Sequence, residues 1–139
     1  MKEVYRRLME TAAEARAFSY SPYSGYCVGA ALLAEDGRIF TGCNVENAGF
    51  SATNCAERTA VFKAVSEGAR RFTAIAVVGG RRGEVSSFCA PCGVCRQVLI
   101  EFCSPELAVL LGTPEAFEVH TLGELLPFSF TAAELGEEN

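Results

Sequence analysis

The sequence predicts an α/β protein, a three-layer α-β-α sandwich around one mixed five-stranded sheet. Three observations carry that expectation. Apolar residues recur at helical spacing in some segments and in short continuous runs in others, the two kinds alternate along the chain, and 139 residues suffice for one hydrophobic core. Such alternation puts helices on both faces of the sheet, and functional groups gather where strands end and helices begin.

The elements follow in order. Val4, Leu8, Ala12, Ala15 and Phe18 fall at steps of three and four across residues 2–18, a helical stripe that Ser21-Pro22-Tyr23-Ser24-Gly25 ends. Residues 28–33 and 38–44 read as short strands, joined by Glu35-Asp36-Gly37 into an antiparallel hairpin. After a polar stretch at 46–54, with Thr53 or Asn54 as the N-cap, residues 55–67 carry Ala56, Ala60, Phe62, Ala64 and Val65 and close at Gly68 as a second helix. Residues 72–78 are nearly all apolar, as in a strand covered on both faces, and end in a loop at 79–83. A third helix opens at Pro91 and runs through Val94, Val98 and Leu99 to about Phe102. A buried strand at 107–111, a turn at Thr113-Pro114-Glu115-Ala116, a short strand at 117–121 and a helical turn at 122–126 complete the order before Pro127. With no repeat and no low-complexity linker, residues 1–139 read as a single domain with 127–139 as a C-terminal tail.

Composition narrows the function. The longest apolar runs, at 73–80 and 107–112, are far shorter than the roughly 20 residues of a membrane span, so no part is expected to cross a bilayer. Met1 leads into Lys2-Glu3-Val4-Tyr5-Arg6-Arg7 without the apolar stretch of a signal peptide, so the cytoplasm is the expected compartment. In that reducing compartment seven cysteines point to metal or redox chemistry rather than disulfides. A formal charge of −5 and scattered arginines disfavour a nucleic-acid partner and suit a small neutral or cationic ligand.

Cys92 and Cys95 stand at i and i+3, so both thiols leave the same side of a helix's first turn, where unpaired N–H groups and the helix dipole favour thiolate. A lone Cys-x-x-Cys is equally a redox pair or two core thiols. A third thiolate from Cys55, at the start of another helix, leaves the fourth position of tetrahedral zinc open for water. Glu57 leaves the same first turn as Cys55 and can sit beside that water without being a ligand. A ligand-x-Glu followed by Pro-Cys-x-x-Cys is the signature of zinc deaminases, and Cys55-Ala56-Glu57 and Pro91-Cys92-Gly93-Val94-Cys95 fit both halves. Cys89 extends the spacing towards an iron–sulfur run, but the fourth cysteine of that run is missing. His120 lies far from both motifs and reads as structural.

Together with Ser21-Pro22-Tyr23-Ser24, Val28-Gly29-Ala30-Ala31-Leu32, Gly42-Cys43-Asn44-Val45-Glu46-Asn47, Asn54-Cys55-Ala56-Glu57-Arg58-Thr59-Ala60 and the continuation Arg96-Gln97, these motifs make the sequence resemble the small homotetrameric cytidine deaminases from about Leu8 to Leu135. The resemblance implies hydrolytic deamination of cytidine and deoxycytidine in pyrimidine salvage, with one Zn²⁺ per subunit on Cys55, Cys92 and Cys95. It also implies that Glu57 takes a proton from the zinc-acidified water and returns protons to N3 and the leaving ammonia. Asn44 and Glu46 are implied as ribose ligands with Val45 between them, and Tyr26, Ala56 and Phe130 as further substrate contacts. Three thiolates overneutralise the metal, and Arg58, otherwise an ordinary solvated helix arginine, is implied as the compensating charge.

Leu125, Leu126, Phe128, Phe130 and Leu135 in and before the tail need a partner surface. By resemblance that surface is a subunit interface of a homotetramer, with Phe130 entering a neighbour's site; packing on the same chain is the alternative. Cys27, Cys43, Cys89 and Cys103 read as small core thiols. Ala90 stands where the family carries serine, and Phe50 where it carries tyrosine. Two other readings remain: the same chemistry on a nucleoside antibiotic or a nucleotide, and a structural zinc site in a binding module.

Overall fold

The computed structural model describes residues 2–84 and 88–136. Helix α1 (Lys2–Ala15), strands β1 (Tyr26–Ala34) and β2 (Ile39–Cys43), helix α2 (Ala56–Ser66), strand β3 (Phe72–Arg81), helix α3 (Gly93–Phe102), strands β4 (Ala108–Thr113) and β5 (Ala116–Thr121) and the single turn α4 (Leu122–Leu125) follow in order. Short 3-10 turns lie at Arg16–Phe18, Phe50–Ala52 and Ala132–Leu135.

The strands form one sheet in the order β2-β1-β3-β4-β5. β1 runs antiparallel to β2 and β3, β3 parallel to β4, and β4 antiparallel to β5, so the sheet is mixed, as expected. The parallel pair requires a crossover connection, which contains α3.

Alternation along the central strands divides the core in two. Ala31, Ala74, Ala76, Val78 and Leu110 meet Leu8, Met9 and Ala12 of α1 on one face. Ala30, Leu32, Ile75, Val77, Val109 and Leu111 meet Ala56, Ala60, Val61 and Ala64 of α2 and Leu99 and Ile100 of α3 on the other. Each large side chain so removed from water contributes roughly 1.5–3 kcal/mol. Two glycines let the helices approach: a Cβ at Gly29 would lie 2.0 Å from Ala12 O, and one at Gly42 would lie 2.3 Å from Ala56 O and 2.5 Å from Ala60 N. Gly42 thus sets the first turn of α2 directly on β2.

Several boundaries depart from the sequence expectation. Neither Thr53 nor Asn54 caps α2; Cys55 is its N-cap. Pro91 does not open α3, because Cys92 is the N-cap and the helix starts at Gly93. β3 continues past Val78 to Arg81, since β1 begins early enough to pair Tyr26 with Arg81. In α1 the apolar stripe is shorter than expected: Val4 and Phe18 are exposed, and Met9 joins the core. In α2 it is Val61 that is buried, with Phe62 turned outward.

The apolar C-terminal segment divides. Leu125 and Leu126 pack against the core of the same chain, whereas Phe128, Phe130 and Leu135 are exposed. The last three residues of the expected tail lie outside the described ones.

Candidate active site and metal centre

The two cysteine-bearing helices begin side by side. Cys55 and Cys92 are both N-caps, and neither uses its thiol to cap its helix. Cys95 lies one turn into α3 and is fully buried. The Sγ atoms of Cys55, Cys92 and Cys95 lie within 4.8 Å of one another, with 3.8 Å between Cys55 and Cys92 and 3.4 Å between Cys92 and Cys95. Sulfurs about 2.3 Å from a tetrahedral zinc are about 3.8 Å apart, so the cluster fits such an ion with little adjustment.

Charge is arranged for thiolates. The Cys95 thiol hydrogen-bonds to Cys55, which draws Cys55 down to about 5, helped by hydrogen bonds from Arg58 and Cys92, and pushes Cys95 up as the keeper of the proton. Metal binding at such a cluster releases that proton. Arg58 Nη2 donates to Cys55 Sγ at 3.3 Å, and the hydrogen bond holds the guanidinium more firmly charged. Its Nε is buried with no hydrogen-bond partner among the described residues.

Glu57, in the first turn of α2, is 4% exposed and stands outside the three-thiol cluster. Burial raises its carboxyl to about 7, the negative Cys55 adds to the rise, and Arg58 opposes it. A carboxyl poised near neutrality can both accept and deliver a proton.

The loop after β2 is fastened to this centre. Val45 and Asn54 exchange backbone hydrogen bonds of 2.9 Å each, which sets residues 44–46 beside the start of α2. Glu46 accepts from Tyr23 N, Ser24 N and the Ser24 hydroxyl; the last of these most strongly holds its carboxyl below the usual range. It lines a cavity of about 380 Å³ with Tyr23, Ser24, Asn47, Phe50 and Thr53. Asn44 Oδ1 accepts from Ser19 Oγ at 2.5 Å and Val28 N at 2.9 Å, and Nδ2 donates to Tyr26 O at 2.9 Å. Its first task is therefore to tie β1 to the preceding turn. Ala56 is fully buried at the head of α2, and Tyr26 opens β1. Phe130 has its carbonyl tied to Gln97 Nε2 at 2.8 Å and leaves its ring exposed.

One contribution escaped the sequence reading. Ser19 hydrogen-bonds to Asn44 and Ser24 to Glu46, roles the sequence gives no sign of: Ser19 stands in no motif, and Ser24 enters only as part of the Ser21-Pro22-Tyr23-Ser24 run. Cys89 packs half-buried against the core, as a core thiol does: a Cβ at Gly79 would lie 2.7 Å from its Sγ, and burial first and the nearby Glu57 second raise its pKa. Cys103 fits the core reading, since burial pushes its thiol up to about 12.

Residues 2–111 match the family described as the cytidine and deoxycytidylate deaminase zinc-binding region. The chain is 51% identical over 130 residues to a cytidine deaminase of Sporosarcina psychrophila, covering 93% of each chain. It is 41% identical over 134 residues to one of Mycobacterium tuberculosis, covering 96% of this chain and 95% of that one. The crystal structure of a cytidine deaminase from Burkholderia pseudomallei superposes with a TM-score of 0.83 at 49% identity, covering 91% of this chain and 98% of that one.

Proposed function

The chain belongs to the cytidine and deoxycytidylate deaminase family, and from that premise we propose that it hydrolyses cytidine and deoxycytidine to uridine and deoxyuridine plus ammonia. The observation that carries this reading is a buried, near-neutral carboxyl, Glu57, beside three clustered thiols and the guanidinium of Arg58.

Cys55, Cys92 and Cys95 would hold the zinc, which would supply an acidified water. Glu57 would take one proton of that water as its oxygen bonds to C4 of the cytosine, pass it to N3, and carry the oxygen's remaining proton to the amino group as the C4–N4 bond breaks and ammonia leaves. Arg58 offsets the excess negative charge of the thiolates. Glu46, kept ionised by Tyr23 and Ser24, accepts hydrogen bonds from the ribose hydroxyls, with Asn44 beside it tying the loop to β1 and Val45 pairing the loop with Asn54 just before α2. Tyr26 and Ala56 border the base.

The exposed Phe130 ring completes a neighbour's site in a homotetramer, with residues 127–139 at the interface of a single-domain subunit. The enzyme works in the cytoplasm, where the thiols stay reduced; among the described residues no helix is long and apolar enough to cross a membrane.

A 5′-phosphate is disfavoured where it would approach the ionised Glu46, whose negative charge repels it. A structural zinc site normally takes four protein ligands, and a buried carboxyl has no task in one. The test is loss of the cytosine chromophore with cytidine, deoxycytidine and cytidine monophosphate. Turnover of the two nucleosides supports the reading; preference for the nucleotide, or no turnover by zinc-loaded protein, refutes it.

A further inference from the structure

The three thiols of the metal cluster are not held alike. Cys95 is fully buried and Cys55 half-buried, but Cys92 is exposed. Packing fixes the first two, whereas Cys92 caps α3 at the end of a stretch, 88–92, without regular secondary structure. Something other than burial has to aim its thiol.

Arg96 grips both carbonyls that bracket Cys92. Its backbone N–H donates to Cys92 O at 3.0 Å, the ordinary helical bond, while its side-chain Nε reaches back to Pro91 O at 2.7 Å. The far end of the same guanidinium, Nη1, donates to Leu125 O at 2.7 Å, the last residue of α4. A cation near the start of a helix opposes the dipole, and no carboxylate lies in ion-pair reach of Arg96 among the described residues. The position is explained by what the planar fork spans: one arm on the peptide before Cys92, the other on a carbonyl some thirty residues away, about 30 positions along the chain from the metal pair.

We propose that Arg96 is a positioning residue of the metal site, locking the Pro91–Cys92 peptide so that the Cys92 thiol points into the cluster, with the end of α4 as its anchor. The inference rests on the reading that Cys55, Cys92 and Cys95 hold zinc. A site with three protein ligands has no fourth to compensate when one is misaimed. Hydrogen-bonding partners behind metal ligands are typically worth 10–100-fold in affinity. A lysine keeps the charge but cannot bridge two carbonyls with a rigid fork, so Arg96→Lys separates geometry from charge, and Arg96→Met keeps only the apolar stem.

The experiment follows zinc release from the holoprotein into excess chromogenic chelator, at a temperature where circular dichroism and gel filtration show folded protein. Gln97→Ala serves as the control, because it removes the neighbouring bond to Phe130 O but leaves Pro91 O held. Both Arg96 variants are expected to release zinc roughly 10–100-fold faster than the parent, and Gln97→Ala within about twofold of it. With zinc kept saturating, KM for cytidine should stay at the parent value. Parent-like release from folded Arg96 variants, even with lowered melting temperatures, overturns the proposal and leaves Arg96 a purely structural residue. Failure of both variants to fold also counts against it, since a device that only aims Cys92 is not needed for the fold. If the parent itself holds no stoichiometric zinc, the metal reading falls first, and this is seen before any variant is made.

Discussion

Replacing Glu57 by glutamine separates catalysis from stability. The carboxyl is 4% exposed and raised by burial from its ordinary 4.5 to about 7. At about 1.4 kcal/mol per pH unit, that difference means that ionising Glu57 inside the metal-free fold costs about 3 kcal/mol relative to the unfolded chain. The sign follows from the direction: the folded group binds its proton more tightly, so the fold is most favoured below pH 4.5, loses stability as pH rises to about 7, and is level above. Glutamine has no charge to bury. Its amide leaves a buried donor incompletely paired at a cost of about 1 kcal/mol. Chelated Glu57→Gln should therefore be about 2 kcal/mol more stable than the chelated parent at pH 8, or about 6 °C in Tm, and slightly less stable at pH 4.5. The zinc-loaded variant should meanwhile lose roughly 10²–10⁴-fold in turnover, the usual worth of a positioned acid–base group. Thermal melts at the two pH values and a cytidine absorbance assay supply both readouts. An equal Tm difference at both pH values refutes the buried-charge argument, and turnover within about tenfold of the parent removes Glu57 as the proton carrier.

Arg58→Ala should lower activity more than folding and raise the pKa of Cys55, read as slower reaction of the metal-free protein with a thiol reagent at pH 6; an unchanged rate and pH profile returns Arg58 to an ordinary helix arginine. Gly42→Ala would put a methyl 2.3 Å from Ala56 O and should cost about 3 kcal/mol by urea unfolding while weakening zinc retention; parent-like stability shows that α2 can move away freely. Phe130→Ala should raise KM, and mixing it with Glu57→Gln subunits should restore activity above either variant alone; a fully active parent monomer in sedimentation ends the shared-site idea.

The chemistry of this protein is written locally. Cys92 and Cys95 at i and i+3, and Cys55 and Glu57 two residues apart, are spacings that a helix start converts into a thiol pair and a ligand with a neighbouring carboxyl, whatever surrounds them. Element order was legible for the same reason, because period-two and period-3.6 patterns belong to each segment alone. Tertiary structure decided everything that depends on a partner distant in sequence. Asn54 was a plausible cap, yet its backbone is taken by Val45 and the cap falls to Cys55. β3 outruns its apolar stretch because Tyr26 of β1 is there to pair with Arg81. Which of Val61 and Phe62 faces the sheet depends on where Gly42 lets α2 land. Glu57 is an ordinary carboxylate in the sequence and a near-neutral one in the fold, since its acidity is set by the water removed around it. The reach of Arg96 from Pro91 to Leu125 is of the same kind: a hydrogen bond between remote residues has no periodicity to announce it, and only the folded chain brings its ends together.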